Sequence, residues 1–152
     1  MFELEPIGYV KNGRTEAADD YWGAEASEIV LSDEYSAAAL QGIDQFSHAE
    51  IIYVFDRVDP ARVDRASRHP RNNEAWPEVG IFAQRARNRP NRLGTTMVRI
   101  IGHEGRVLRV VALDAIDGTP VLDIKPVMQE FLPREPVRQP SWAHELMTHY
   151  WE

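Results

Sequence analysis

Arg85, Arg87, Arg89 and Arg92 fall within eight residues, beside Pro90 and Asn91, in the stretch VGIFAQRARNRPNRLG at 79–94. Guanidinium groups suit planar, bidentate contact with a carboxylate or a phosphate, which the lysine ammonium cannot offer. A second stretch, LDAIDGTPVLDIKP at 113–126, sets Asp114 and Asp117 around a turn into Gly118, Thr119 and Pro120. Two carboxylates there either cap their own turn or accept hydrogen bonds from a ligand's hydroxyls or cation. Strand-like flanks such as VGIF and TTMVRII bound these polar runs. Turn residues held between strands are how a scaffold presents polar groups to a ligand. Together the two stretches point to a site rather than to two solvated loops.

Other chemistry is thinner. His48 follows Phe46 and Ser47 at the start of an apolar run, where both a structural edge position and a ligand contact are open. His144 and His149 superficially resemble a zinc-protease helix, but positions five apart lie about 140° around a helix and cannot chelate one ion. The sequence contains no cysteine, which excludes disulfides, thiolate metal sites and a cysteine nucleophile. No metal site is expected. Neither a phosphate-binding P-loop nor a dinucleotide fingerprint is present.

The net charge of −7 is unevenly spread. Between Arg57 and Arg109 there are 12 Arg and five acidic residues, a local balance of +7, so the remainder carries −14. A polyanion partner through one face is compatible with this pattern, whereas broad non-specific nucleic-acid affinity is not. For Arg57, Arg62, Arg65, Arg68 and Arg71 a plain solvated loop is the alternative. The start, MFELEPIGYV, lacks the basic residues and apolar run of a signal peptide. No apolar run approaches the roughly 20 residues that span a bilayer. The reading is a soluble, cytoplasmic chain with no membrane association.

The elements that must position these residues are mostly strands. Strand candidates are 2–10, 28–31, 48–55, 79–84, 95–101 and 107–113, with a hairpin turn at 102–105. A helical turn or two is expected at 33–40, capped by Ser32 or Asp33 and stopped by Gly42. A C-terminal helix is expected at 142–151, capped by Ser141. The Pro-, Arg- and Asn-rich stretch 56–77 reads as a long loop of the kind that is functional or disordered. At 152 residues, one domain over 1–152 is expected. Many short strands and few helices favour an all-β barrel or sandwich.

On four blocks the chain resembles the TrmO family, also called TsaA-like or YaeB-like. These are Ile7-Gly8 with the following turn, Phe46-Ser47-His48, 79–94 and 114–126. The resemblance implies a small single-domain β-barrel that forms homodimers, with short peripheral helices and a C-terminal helix. It implies S-adenosylmethionine as cofactor and methyl transfer to N6-threonylcarbamoyladenosine beside the tRNA anticodon. A different acceptor, or a non-catalytic cofactor-binding module, are the alternatives. The cofactor-binding positions it implies are Asn12, Gly13, Arg14, Ser47, His48, Arg85, Arg89, Pro90, Asn91, Asp114, Ala115, Ile116 and Asp117. Asp114 and Asp117 suit the cofactor's hydroxyls or cationic groups, and Arg85 or Arg89 suits its carboxylate. The sequence departs from the family pattern at Ala86, Arg87, Arg92 and Val127.

Overall fold

The computed structural model describes residues 1–152. Six strands close into an antiparallel barrel in the order β1-β2-β7-β6-β3-β8. They are β1 (Gly8–Lys11), β2 (Ala26–Leu31), β3 (His48–Val54), β6 (Leu93–Glu104), β7 (Val107–Val111) and β8 (Pro120–Pro126). A two-stranded ribbon, β4 (Ser67–Arg68) with β5 (Val79–Gly80), stands outside the barrel.

The barrel follows from period-two patterning, which turns alternate side chains to one face. In β3 the inward residues are Ala49, Ile51 and Tyr53; in β7 they are Leu108 and Val110. Val10, Ile29, Leu31, Val98 and Val121 join them in one core of 13 buried residues. Register aligns Val10 with Ile29, Ile29 with Leu108 and Ile51 with Ile124. The β3–β6 pair sets Ile51 opposite Thr96 and Tyr53 opposite Gly94. A Cβ at position 94 would stand 2.6 Å from the Tyr53 ring, so glycine lets the ring pass. A barrel this narrow fills its interior with side chains, which leaves the rim for a ligand.

Several elements differ from the sequence expectation. β1 begins only at Gly8, because residues 1–5 are exposed and find no partner strand. At 33–40 there is one 3₁₀ turn, Ala37–Leu40, capped by Ser36 rather than by Ser32 or Asp33. The turn closes at Gln41, whose amide donates to the Ala38 carbonyl, and Gly42, at φ 86°, starts a second 3₁₀ turn, Ile43–Gln45, rather than stopping the first. The 79–84 strand is two residues of β5 followed by the 3₁₀ turn Ile81–Ala83. β6 runs on to Glu104, which moves the hairpin turn to Gly105 and Arg106. The 56–77 stretch is ordered by 3₁₀ turns at Pro60–Arg62 and Pro70–Asn72 and by the β4–β5 pairing. The C-terminal helix α1 covers Ser141–Leu146 and starts from Pro140. The helix ends because the Thr148 amide closes back three residues onto the Glu145 carbonyl, which the Thr148 hydroxyl also reaches, tightening the last turn.

Candidate functional site

The first motif loop leaves β1 at Asn12-Gly13-Arg14, and the second leaves β7 through Asp114–Asp117. They meet at the rim. The Asn12 amide N–H donates to Asp117 Oδ1 at 3.0 Å, and the Asp117 amide donates to the Arg14 carbonyl at 2.7 Å. Asn12 Nδ2 donates to Ser27 Oγ and to the Ala115 carbonyl, both at 2.9 Å. Its Oδ1 accepts from the Arg14 amide at 2.9 Å. The Asn12 side chain is thereby spent on architecture. Gly118, at φ 84°, turns the second loop back into β8.

Arg14 is also committed. Its guanidinium lies 3.7 Å above the Trp22 ring and donates to the Tyr21 and Asp20 carbonyls at 2.8 and 3.2 Å. Arg89 folds back on its own loop, donating to the Gln84 carbonyl at 2.6 Å. Asn91 and Arg92 take φ of 63° and 51°, a left-handed pair after Pro90 that turns the chain into β6. Arg92, one of the departures, donates to the Val58 carbonyl at 2.8 Å. Arg87, another, pairs with Asp19 at 3.0 Å.

Asp114 is the centre of the site. Oδ1 accepts from the Tyr53 hydroxyl at 2.9 Å and from the Thr96 hydroxyl; Oδ2 accepts from the Tyr150 hydroxyl. Burial pushes the Tyr53 phenol well above its ordinary range, and the Asp114 charge adds to the rise. The Tyr150 phenol is raised by the same two causes in the same order. Both phenols therefore stay protonated donors. The Arg85 guanidinium pulls weakly the other way on both. Arg85 itself is exposed and donates only to the Thr95 carbonyl, at 2.7 Å, which leaves most of its five N–H groups free.

The structure thus joins Asn12, Gly13, Arg14, Ala115, Ile116 and Asp117 to Asp114, and sets Arg85 near enough to Tyr53 and Tyr150 for its charge to act on both phenols. Ser47 and His48 stand apart. His48 opens β3, five residues before Tyr53, or about 17 Å along a strand, and lies on the exposed outer face. Its Nδ1 sits 2.6 Å from Ser47 Oγ. His149 lies beyond α1, stacked on Tyr21 and paired with Glu152 at 2.9 Å.

Sequence reasoning missed Tyr53, Thr96 and Tyr150. The first two carry a faint signal: polar atoms at inward positions of strands need a partner. Tyr150 carries none, since only the tertiary return of the chain brings it to Asp114.

The family described as tRNA-methyltransferase O N-terminal domain matches residues 17–131. This chain belongs to that family. It is 37% identical over 143 residues to a Pyrococcus abyssi protein described as "Probable S-adenosyl-L-methionine-binding protein", covering 91% of this chain and 74% of that one. It is 34% identical over 147 residues to the human tRNA (adenine(37)-N6)-methyltransferase, covering 90% of this chain but 32% of the human one. The crystal structure of TrmO from Pseudomonas aeruginosa superposes with a TM-score of 0.75 at 27% identity, over 93% of this chain and 62% of that one. The chain therefore spans about a third of the human relative and under two thirds of the bacterial one. The second motif loop and the 79–94 stretch lie within the family's matched residues 17–131, whereas the Asn12–Arg14 loop precedes them. Tyr150 lies beyond them.

Proposed function

We propose that this chain is an S-adenosylmethionine-dependent methyltransferase acting on tRNA, at the N6 of the modified adenosine beside the anticodon. The observation that carries the reading is the junction of the two motif loops around Asp114 and Arg85 in a chain of this family. The human relative is named for N6 methylation of adenine 37, and the archaeal one for cofactor binding.

The residues at the rim fit the cofactor's chemistry. S-adenosylmethionine supplies the methyl group on a sulfonium. Arg85, with free N–H groups, would hold its carboxylate. The remaining acceptor direction of Asp114 and the second oxygen of Asp117 would take hydroxyls or the ammonium. Pro90 and Asn91, at the turn before β6, would shape the wall. Arg14 and Arg89 act by holding backbone rather than by reaching the ligand. Catalysis of this kind comes mainly from alignment, because direct displacement needs little covalent help from protein.

The proposal extends to assembly. A filled barrel interior, and the separation of Ser47 and His48 from Asp114 within one chain, support a homodimer with cofactor sites at or near the subunit interface. One continuous barrel core supports a single domain over 1–152. No helix is long and apolar enough to cross a membrane. A tRNA substrate supports a cytoplasmic location.

The deciding experiment is methyl transfer from labelled cofactor to tRNA bearing threonylcarbamoyladenosine. Transfer at that base establishes the reading. Cofactor binding without transfer to this tRNA leaves a binding module or an enzyme for another acceptor.

A further inference from the structure

Residues 128–141 run exposed along the surface before the chain returns to the barrel rim. The return is firmly seated. The Tyr21 and Trp22 amides donate to the His149 and Tyr150 carbonyls at 3.1 and 2.8 Å. Trp76 Nε1 donates to Glu145 at 2.7 Å. The Trp151 carbonyl lies 1.9 Å from where a Cβ would stand at Gly23, a packing that only glycine permits. These contacts hold the half-buried Tyr150 ring in one place, edge-on to Trp151 with centroids 4.8 Å apart.

The consequence falls on Asp114. A carboxylate offers about four acceptor directions. Tyr53 and Thr96 fill two on Oδ1, and Tyr150 fills one on Oδ2. Without Tyr150 the Oδ2 edge has no protein partner, and the whole carboxylate is fixed from one side only. We infer that Tyr150, supplied by a C-terminal segment outside the family's matched stretch, is a positioning residue of the cofactor site. It orients the Asp114 carboxylate so that a single Oδ2 direction faces a ligand donor.

The inference rests on the reading of the rim as a cofactor site, and the experiment separates the two. Tyr150→Phe keeps the ring and its packing and removes only the hydroxyl. Calorimetry with S-adenosylmethionine up to millimolar concentration should show about tenfold weaker binding in Y150F, the scale of one lost hydrogen bond to a charged group. In a D114N background the same change should cost less than twofold, because the two residues act as a unit. A partly buried phenol bound to a carboxylate should also give a downfield, slowly exchanging hydroxyl proton in the cofactor-free protein. Tyr53 and Tyr150 should each give such a signal; Y150F should remove one and leave the other, and D114N, which takes the charge away, should shift both upfield.

Wild-type affinity in Y150F, tighter binding in Y150F, or an undiminished loss in the D114N background each overturn the inference and leave the cofactor reading standing. Absence of cofactor binding by the wild type removes both, whatever the hydroxyl signal shows.

Discussion

Asn12 and Asp117, 105 residues apart in sequence, clamp the two motif loops into one rim through a 3.0 Å hydrogen bond from the Asn12 amide to the Asp117 carboxylate. The Asn12 side chain doubles the clamp, reaching buried Ser27 and the Ala115 carbonyl. Asn12→Ala breaks two donor contacts and one acceptor contact and strands a buried hydroxyl. The expected loss is about 1–3 kcal/mol of stability, seen as a lower midpoint in thermal or urea unfolding. An unchanged midpoint would mean that water replaces the clamp at no cost.

Arg85 and Arg14 are both among the cofactor-binding positions that the family resemblance implies, yet they do different work, and substitution separates them. Arg85→Ala removes an exposed guanidinium with one backbone contact, so folding should be little affected. Cofactor affinity should fall by roughly 1–3 kcal/mol, the cost of an unmade charge-assisted hydrogen bond. Arg14→Ala removes the ring contact with Trp22 and two carbonyl partners, so its first effect should be on the unfolding midpoint. Calorimetry and thermal unfolding on both variants decide this. Equal behaviour in the two assays would refute the division.

Much of this was legible in the sequence, for identifiable reasons. Inward alternation in HAEIIYV and VLRVV marks two central strands, and Gly118 and Pro90-Asn91 mark where loops must turn. β8 was hidden because Asp123, Lys125 and two prolines break the alternation that a strand usually shows. The loops were legible as polar and constrained, but not as clamps or ligand contacts. Asn12 has the same residue type in either role, and only its three partners show that it is structural. Tyr150 was not legible at all, because its contact with Asp114 depends on how an irregular 14-residue run carries the tail back.

The two raised phenols give the alkaline limb of stability a definite sign. Each favours its protonated form in the folded state, whereas an unfolded tyrosine loses its proton near the ordinary value of 10.0. Above that pH the unfolded chain binds fewer protons than the native one, so stability falls as pH rises. Below it the two phenols contribute no pH dependence. Denaturant unfolding from pH 9 to 11 should show this decline, and Y150F should make it shallower by removing one of the two groups. An unaltered slope in Y150F would place the Tyr150 phenol in solvent rather than on Asp114.

The arginines of the 56–77 stretch divide by what already holds them. Arg68 pairs with Asp64 at 3.1 Å and donates to Asn72, and Arg71 pairs with Asp20 at 3.1 Å. Both are occupied in shaping the loop, so they are poor reporters of nucleic-acid contact. Arg62 and Arg65 are exposed and form no ion pair. If this face meets the tRNA backbone, these two make the phosphate contacts. The double variant R62A/R65A should therefore bind tRNA more weakly at low salt and show a shallower dependence of affinity on salt concentration, since each lost phosphate contact lowers the slope by about one unit. Cofactor affinity and the unfolding midpoint should not move. Filter binding between 50 and 200 mM salt, on the order of the range where such slopes are read, measures both quantities. Wild-type tRNA affinity in the double variant would move the nucleic-acid face away from this loop. The exposed Arg99 and Arg106, on β6 and in the β6–β7 turn, would then be the cations to substitute next.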